Sequence, residues 1–368
     1  MRISCRSEEL AEKLAVVGRG VSTRTAVHVL TGILVRAVGD RLELAATDME
    51  ISLRVTLEAA VDEPGAVVVP GRLLVDIARL LPPGEVTIES RAEEGLARLT
   101  CGPAAYGLHT FNPEDFPRLP EPAGDGSFAV EKAAFLETVG KVGRSASRDE
   151  SRPVLTGILV QFQDGKLIMA ATDSYRLSVK ETALEHAPAS DVEAIVPARA
   201  LTELARVAQA AASGELEIGV RENQIVFSIE GVTLTARRID GQFPNYKQLV
   251  PDAFEAEVVL GRDEFLDVVR RTSLMAQRKS PLRLRFEEGQ VTVSAQTQDV
   301  GEARESLPVR YEGETLEIGF NAEFLRDGLE SIGDDRVRLK LISPLRPGLI
   351  QGEADDFQYL IMPIRLAG

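Results

Sequence analysis

Two carboxylates, Asp48 and Asp173, are the side chains of this sequence most suggestive of catalysis, because each ends the same segment, Ala-Ala-Thr-Asp. Two acids in one cleft can act as general acid and general base, or hold a metal ion for hydrolysis. The two segments occupy equivalent places 125 positions apart, however, so we expect them in separate parts of the fold. A Thr-Asp pair after a strand also commonly hydrogen-bonds its own backbone in a turn. We therefore favour the turn, with metal-assisted hydrolysis as the alternative.

Other side chains that could do chemistry do not form a known catalytic pattern. The three histidines, His28, His109 and His186, are scattered, and the sequence contains no zinc-protease, phosphate-loop or serine-hydrolase motif. The two cysteines, Cys5 and Cys101, lack the spacing of a metal site or a redox pair. We predict a protein with no catalytic residues, no metal site and no cofactor.

The arginines show more order than the acids. Arg72 and Arg79 are seven residues apart, and Arg199 and Arg206 repeat that spacing 127 positions later. Seven residues are two helical turns, so each pair lies along one face of a helix. A repeated basic stripe indicates a surface that meets a polyanion, although ordinary solvated arginines remain the alternative. The net charge of −15 argues against nucleic acid unless the basic residues gather on one face.

An internal duplication supplies the elements that would position these residues. Val-Leu-Thr-Gly-Ile-Leu-Val occurs at 29–35 and again at 154–160, and a weaker third copy opens at Phe265. The apolar spacing predicts helix, strands, helix and strands in each copy, with Ser7 as the N-cap of the first helix. The sequence therefore predicts an α+β fold of three tandem modules, at residues 1–122, 127–252 and 257–368.

Two short segments could form a second functional surface. Thr172–Leu177 and Met362–Leu366 combine Met, Pro and Leu with arginines, a composition suited to a groove for apolar peptide anchors. Packing of a last strand into the core is the alternative. The sequence has no apolar run of about 18 residues and no signal segment, so we expect a cytoplasmic protein.

Three further motifs are a Phe-Pro-x-Tyr segment at 243–246, a Ser-Pro-Leu-Arg-Pro-Gly turn at 343–348 and Met-Pro-x-Arg-Leu at 362–366. With these and the motifs above, the chain resembles the bacterial sliding clamp family, the beta subunit of the DNA polymerase III holoenzyme. The resemblance implies a non-catalytic processivity factor. It also implies that two chains close head to tail into a six-domain ring around duplex DNA, without sequence preference. The partners that it implies are the replicative polymerase subunit, the clamp loader and other DNA-processing proteins.

The resemblance also implies three sets of site residues. The set implied to contact DNA comprises Arg24, Arg72, Arg148, Arg152 and Arg199. The set implied to form a cleft for partner peptides comprises Leu155, Thr172, Tyr175, Arg176, Leu177, Pro244, Leu249, Phe324, Pro344, Met362, Pro363, Ile364, Arg365 and Leu366. The set implied for the dimer interface comprises Tyr106, Leu108, Ser273 and Leu274. A clamp-like paralogue that binds partners without encircling DNA is a further alternative.

Overall fold

The computed structural model describes residues 1–23, 25–91, 94–120, 124, 126–186, 188, 190–276, 280–297 and 301–366. The first module contains β1 (Arg2–Arg6), α1 (Ser7–Val17), β2 (Gly32–Val38), β3 (Arg41–Thr47), β4 (Ile51–Glu58), β5 (Ala60–Glu63), β6 (Gly65–Pro70), α2 (Gly71–Leu80), β7 (Glu85–Arg91), β8 (Leu96–Cys101) and β9 (Ala104–His109).

The second and third modules repeat this order of elements. The second contains β10 (Phe128–Glu131), α3 (Lys132–Val142), β11 (Gly157–Gln163), β12 (Lys166–Thr172), β13 (Arg176–Ala183), β14 (Val192–Pro197), α4 (Ala198–Ala208), β15 (Glu215–Val220), β16 (Gln224–Ile229) and β17 (Val232–Arg237). The third contains β18 (Ala256–Gly261), α5 (Arg262–Ser273), β19 (Leu282–Glu287), β20 (Gln290–Thr297), β21 (Gly301–Pro308), β22 (Leu316–Phe320), α6 (Ala322–Glu330), β23 (Arg336–Leu341), β24 (Gly348–Gln351) and β25 (Phe357–Ile361). Only β5 has no counterpart among the described residues, so the prediction of three copies of one α+β fold is confirmed.

The chain forms two compact units, and each contains half of the second module. The first unit is Met1–Lys132 with Arg199–Arg238, and the second is Ala133–Ala198 with Ile239–Gly368. In the first, an eight-stranded sheet has the order β10-β15-β16-β17-β4-β3-β2-β6, so β17 of the second module pairs with β4 of the first. In the second, the order β14-β11-β12-β13-β25-β24-β23-β18 pairs β13 with β25 of the third module. Backbone hydrogen bonds therefore continue across both module boundaries.

A smaller sheet completes each unit. The first unit has the five-stranded order β5-β1-β7-β8-β9, and the second has the four-stranded order β21-β20-β19-β22. The strands pair antiparallel throughout the described chain. In both small sheets one outer strand belongs to a hairpin, β8–β9 in the first and β20–β21 in the second.

The cores confirm the apolar spacing read from the sequence. Leu10, Leu14 and Val17 of α1 are fully buried and pack in the first unit with α2 and β4. In the second unit α5 packs against α6 over a core that includes Phe265 and Leu329. Burial of such apolar side chains supplies most of the stability of a domain.

The prediction that Ser7 caps α1 is wrong. The helix begins at Ser7 with Arg6 as its N-cap, and no side chain caps it. The Ser7 hydroxyl is buried instead, where it donates to the Pro82 carbonyl at 2.9 Å and accepts from the Gly84 amide at 3.1 Å. Its hydrogen bonds hold the turn after α2 rather than the start of α1. Within the described chain, no helix is long and apolar enough to cross a membrane.

Candidate functional site

The Ala-Ala-Thr-Asp segments end β3 and β12 and lead into turns. Asp48 Oδ1 accepts the amides of Glu50 at 3.1 Å and Ile51 at 2.8 Å. Asp173 Oδ1 accepts the equivalent amides, those of Tyr175 at 2.9 Å and Arg176 at 3.0 Å. The structure confirms the turn interpretation for both aspartates. Nowhere in the described residues do three or more His, Cys, Asp or Glu side chains gather as a metal site would require.

The second oxygen of each aspartate holds an arginine. Asp48 Oδ2 accepts from Arg199 Nη1 at 2.6 Å in the first unit. Asp173 Oδ2 accepts from Arg176 Nε at 3.1 Å in the second. With one oxygen on backbone amides and the other on a guanidinium, both carboxylates are satisfied by the protein itself.

The predicted basic stripes lie on α2 and α4. Arg72 and Arg79 of α2 are exposed and, among the described residues, form no hydrogen bond or ion pair. On α4, Arg199 binds Asp48, and Arg206 binds Glu203 at 2.5 Å. The stripes therefore occupy equivalent helices but differ in how far their charge is neutralised.

The other residues predicted to contact DNA lie in the segments that follow the first helix of each module. Arg148 is exposed and has no partner in the described part of the chain. Arg152 pairs with Asp149 at 3.1 Å and donates to the Ser174 hydroxyl at 3.1 Å. Arg24 lies outside the described residues.

The second unit contains a cavity of about 530 Å³ beside the first residues of β13. Five residues of the predicted cleft line it, namely Thr172, Arg176, Leu177, Leu249 and Met362. Ser174, from the predicted groove segment Thr172–Leu177, also lines it. Sequence reasoning missed the remaining lining residues, which are Gln248, Val250, Pro251, Asp252, Ile342, Leu345, Arg346, Pro347 and Leu360. Leu345, Arg346 and Pro347 belong to the motif at 343–348. The exposed leucine between the two prolines of this motif is the signal that could have identified these residues as part of the cleft.

Nine predicted cleft residues do not line this cavity. Tyr175, Pro244 and Pro344 are exposed, whereas Leu155 and Phe324 are partly buried. Tyr175 is nonetheless adjacent, because its carbonyl accepts the Met362 amide at 2.8 Å. The other four are the terminal residues Pro363, Ile364, Arg365 and Leu366.

The terminal residues follow the cavity along β22. The Ile364 amide donates to the Gly319 carbonyl at 2.8 Å, and a Cβ placed on Gly319 would lie 2.6 Å from Leu366 Cδ2. The glycine therefore provides the space in which Leu366 packs. These contacts show that residues 364–366 are docked against β22.

Arg176 is the buried charge of the cavity, with only 6% of its side chain exposed. Its Nη1 donates to Asp327 at 2.6 Å, and its guanidinium lies 4.3 Å from the centre of the Phe324 ring. Burial opposes the charge, but the Tyr359 hydroxyl and the carboxylates of Asp327 and Asp173 outweigh it and raise the pKa of Arg176 above its ordinary value. The guanidinium is thus fixed as a permanent cation at the cavity wall.

A second carboxylate on α6 extends this network. Glu330 accepts from Arg144 at 2.6 Å and from Arg270 at 2.9 Å. Burial works against its ionisation, yet the two arginines prevail and hold the pKa of Glu330 below its usual value. Helix α6 is therefore held by ion pairs on the side from which Asp327 reaches Arg176.

The residues predicted for the dimer interface lie in or near the small sheets. Tyr106 of β9 is 39% exposed and Leu274, just after α5, is 77% exposed. Ser273 is partly buried, and Leu108 is buried within its own chain. In the described chain β9 pairs only with β8, and β21 pairs only with β20, so each has an unpaired edge.

Exposed arginines on repeated helices and an apolar cleft with a fixed cation define a binding protein built from tandem modules. Residues 1–120, 129–245 and 247–365 match the N-terminal, central and C-terminal domains of the DNA polymerase III beta subunit. The chain is 36% identical to the beta sliding clamp of Streptomyces coelicolor, with 100% of each chain covered. It therefore belongs to the family of the DNA polymerase III beta subunit, the beta sliding clamps.

Solved structures agree with this assignment. The DNA polymerase sliding clamp from Bacillus subtilis superposes with a TM-score of 0.94 at 25% identity, covering 100% of both chains. The DNA polymerase III subunit beta from Pseudomonas aeruginosa gives a TM-score of 0.93 at 29% identity, again over 100% of both.

Proposed function

We propose that two copies of this chain close head to tail into a ring that encircles duplex DNA and tethers the replicative polymerase, as a cytoplasmic processivity factor with no catalytic activity and no cofactor. Each chain would contribute three domains, at residues 1–122, 127–252 and 257–368. The single observation that carries the proposal is the exposed arginine stripe on α2, combined with membership of the sliding clamp family.

The basic residues suit contact with phosphates rather than with bases. Arg72, Arg79 and Arg148 are exposed and have no partner among the described residues, so their charges are available to a polyanion. Contacts to phosphates carry no sequence information, and each is weakened by salt. A ring kept on DNA by its topology needs only such weak contacts. Such weak contacts explain how a chain with a net charge of −15 can encircle DNA.

The unpaired strand edges support the head-to-tail dimer. An exposed edge such as β9 or β21 presents free N–H and C=O groups to another strand. The opposite edge of the four-stranded sheet is β22, which already receives the terminal segment through Ile364. Pairing β9 of one chain with β21 of its partner would join the small sheets and place the exposed Tyr106 and Leu274 at the seam.

The cavity of the second unit suits the apolar end of a short partner peptide. Leu177, Leu345, Leu360 and Met362 offer apolar surface, and Arg176 and Arg346 offer donors for peptide carbonyls or carboxylates. Such a mixture of apolar walls and a few fixed polar groups is typical of peptide grooves. The family resemblance implies that the polymerase subunit, the clamp loader and repair proteins would compete for it through Gln-led segments with apolar ends.

Retention on plasmid DNA tests encirclement. The chain is loaded by its clamp loader onto a nicked circular plasmid, and bound protein is measured before and after a restriction enzyme linearises the DNA. We expect retention on the circle, rapid loss after linearisation and the solution mass of a dimer. Equal retention on both forms would favour the paralogue that does not encircle DNA.

A charge placed in the cleft tests the partner site. Met362→Asp should weaken binding of a fluorescent Gln-led, apolar-ended peptide at least tenfold, because the carboxylate would be desolvated against the bound apolar side chain. Met49→Asp is the matched control, since Met49 is also an exposed methionine but lies in the first unit, in the turn after Asp48, and does not line the cavity. Equal peptide affinity for the two variants would refute the assignment of the cleft.

A further inference from the structure

We propose that Asp48 and Glu203 shield three arginines of the first unit from the duplex, so that, of the two arginine stripes, the one on α2 carries the free positive charge and the ring holds DNA weakly enough to slide. The inference rests on the proposed function and names residues that set the strength of the DNA contact. The shielded arginines are Arg19, Arg199 and Arg206.

Asp48 is built to hold Arg199. Its Oδ1 is fixed by two backbone amides, which orients Oδ2 toward Arg199 Nη1 at 2.6 Å. The Asp48 side chain is 11% exposed, whereas that of Arg199 is 53% exposed. The acid is therefore rigid and the arginine accessible, so a phosphate approaching Arg199 must compete with a carboxylate that is already in place.

Glu203 shields two arginines at once. Its Oε1 accepts from Arg206 Nη1 at 2.5 Å, and its Oε2 accepts from Arg19 Nη1 at 3.2 Å. Glu203 is 14% exposed, while both arginines are far more exposed. Both carboxylate oxygens are thus occupied by cations that would otherwise be open to phosphates.

The first module lacks this arrangement and has a shorter acid at the equivalent position. Asp76 stands on α2 where Glu203 stands on α4, 127 positions later, between Arg72 and Arg79 as Glu203 is between Arg199 and Arg206. Asp76 is exposed and, within the described residues, pairs with neither arginine. The free stripe of α2 therefore has the shorter acid between its arginines, whereas on the stripe of α4 Glu203 holds Arg206 and Asp48 holds Arg199.

Shielding bears on sliding because each phosphate contact must break before the duplex can advance. The logarithm of the DNA-binding constant falls linearly with the logarithm of the salt concentration, and each arginine that neutralises a phosphate steepens this fall by about 0.9. Freeing Arg199 should therefore steepen the slope by about 0.9, and freeing Arg19 and Arg206 together by up to about 1.8. More contacts would also slow movement along the duplex.

The test measures the affinity of the purified dimer for a short fluorescein-labelled duplex across a range of NaCl concentrations, for Asp48→Asn, Glu203→Gln and Asp76→Glu. We expect steeper slopes for the first two variants and a shallower slope for Asp76→Glu, in which the longer acid should reach an arginine of α2. Glu43→Gln is the matched control. Glu43 also lies between two arginines, Arg36 at 3.6 Å and Arg54 at 3.7 Å, but on strands of the eight-stranded sheet.

The inference would be overturned if the salt-dependence slopes of Asp48→Asn and Glu203→Gln equal the slope of Glu43→Gln. A lowered melting temperature with an unchanged slope would show that the ion pairs only join the two modules. If an acid variant does not fold, the arginines give the answer: Arg72→Gln should flatten the wild-type slope by about 0.9 and Arg199→Gln by clearly less. Equal losses would contradict shielding. A wild-type chain that fails the circular-plasmid test would overturn the proposed function as well, whereas a chain that passes it with unchanged slopes would refute only the shielding.

Discussion

Replacing Asp327 by Asn tests the ion-pair network that fixes the cleft. Asp327 is 14% exposed and binds the buried Arg176 at 2.6 Å. Breaking a buried pair by removing one partner costs about 3–5 kcal/mol. Here Asp173 remains 3.1 Å from Arg176, so the charge keeps one carboxylate. We therefore expect a smaller loss in the free energy of unfolding, about 2 kcal/mol, within the range for one charge-assisted hydrogen bond.

Urea unfolding followed by circular dichroism measures this loss, and fluorescence polarisation measures the affinity for a partner peptide in parallel. Glu323→Gln is the matched control, because Glu323 lies on the same helix, is exposed and makes no ion pair among the described residues. The control should change stability by less than about 0.5 kcal/mol. Asp327→Asn should also weaken peptide binding, since Arg176 lines the cavity and would lose a contact that fixes its position.

A double-mutant cycle isolates the contact itself. Asp327→Asn, Arg176→Gln and the double variant should give a coupling energy of at least about 1 kcal/mol, as expected for neighbours in one network. A coupling below about 0.5 kcal/mol would refute the reasoning that these two charges stabilise each other.

Three further predictions follow from other contacts. Gly319→Val should displace the terminal segment, because the added side chain would occupy the position of Leu366. Carboxypeptidase should then remove terminal residues from this variant faster than from the wild type. Equal rates of removal would contradict the prediction. Burial, with Glu9 and Glu85 nearby, raises the pKa of Cys5 to about 12. Iodoacetamide should therefore not modify the Cys5 thiol in the folded protein at mildly alkaline pH. Rapid modification detected by mass spectrometry would contradict this prediction. The lowered pKa of Glu330 stabilises the fold above the unfolded-state pKa of about 4.3 and ceases to do so as the pH falls through the folded-state value. The stability difference between wild type and Glu330→Gln should therefore shrink in acid, and a difference that stays constant from neutral to acidic pH in urea unfolding would disprove this.

Local features could be predicted from the sequence because their physics is local. The turns at Asp48 and Asp173 depend on hydrogen bonds to residues two and three positions away, and the apolar stripe of α1 depends on spacings of four and three. Short strands such as β5 and β10 could not be predicted, because four residues carry too little pattern to separate a strand from a loop.

Contacts between distant residues could not be predicted in this way. Arg199 and Asp48 are 151 positions apart, and no periodicity relates them. The pairing of β17 with β4 likewise depends on backbone groups, which every sequence has, and not on side-chain types. The family resemblance supplied five of the residues that line the cavity, but its motifs did not include the neighbours Val250 and Leu360 that complete the lining.

The pairing of β4 with β17, which is the seam between the first two modules, has a consequence for how the chain can be divided. Leu53 lies opposite Leu234, and the pairing extends over five residues on each side. A polypeptide ending at residue 120 and a second one beginning at residue 126 would each carry one half of that seam. Complementary fragments made in the same cell should therefore find each other and rebuild the eight-stranded sheet, which makes the first module boundary a natural place at which to split the gene for a reassembly reporter.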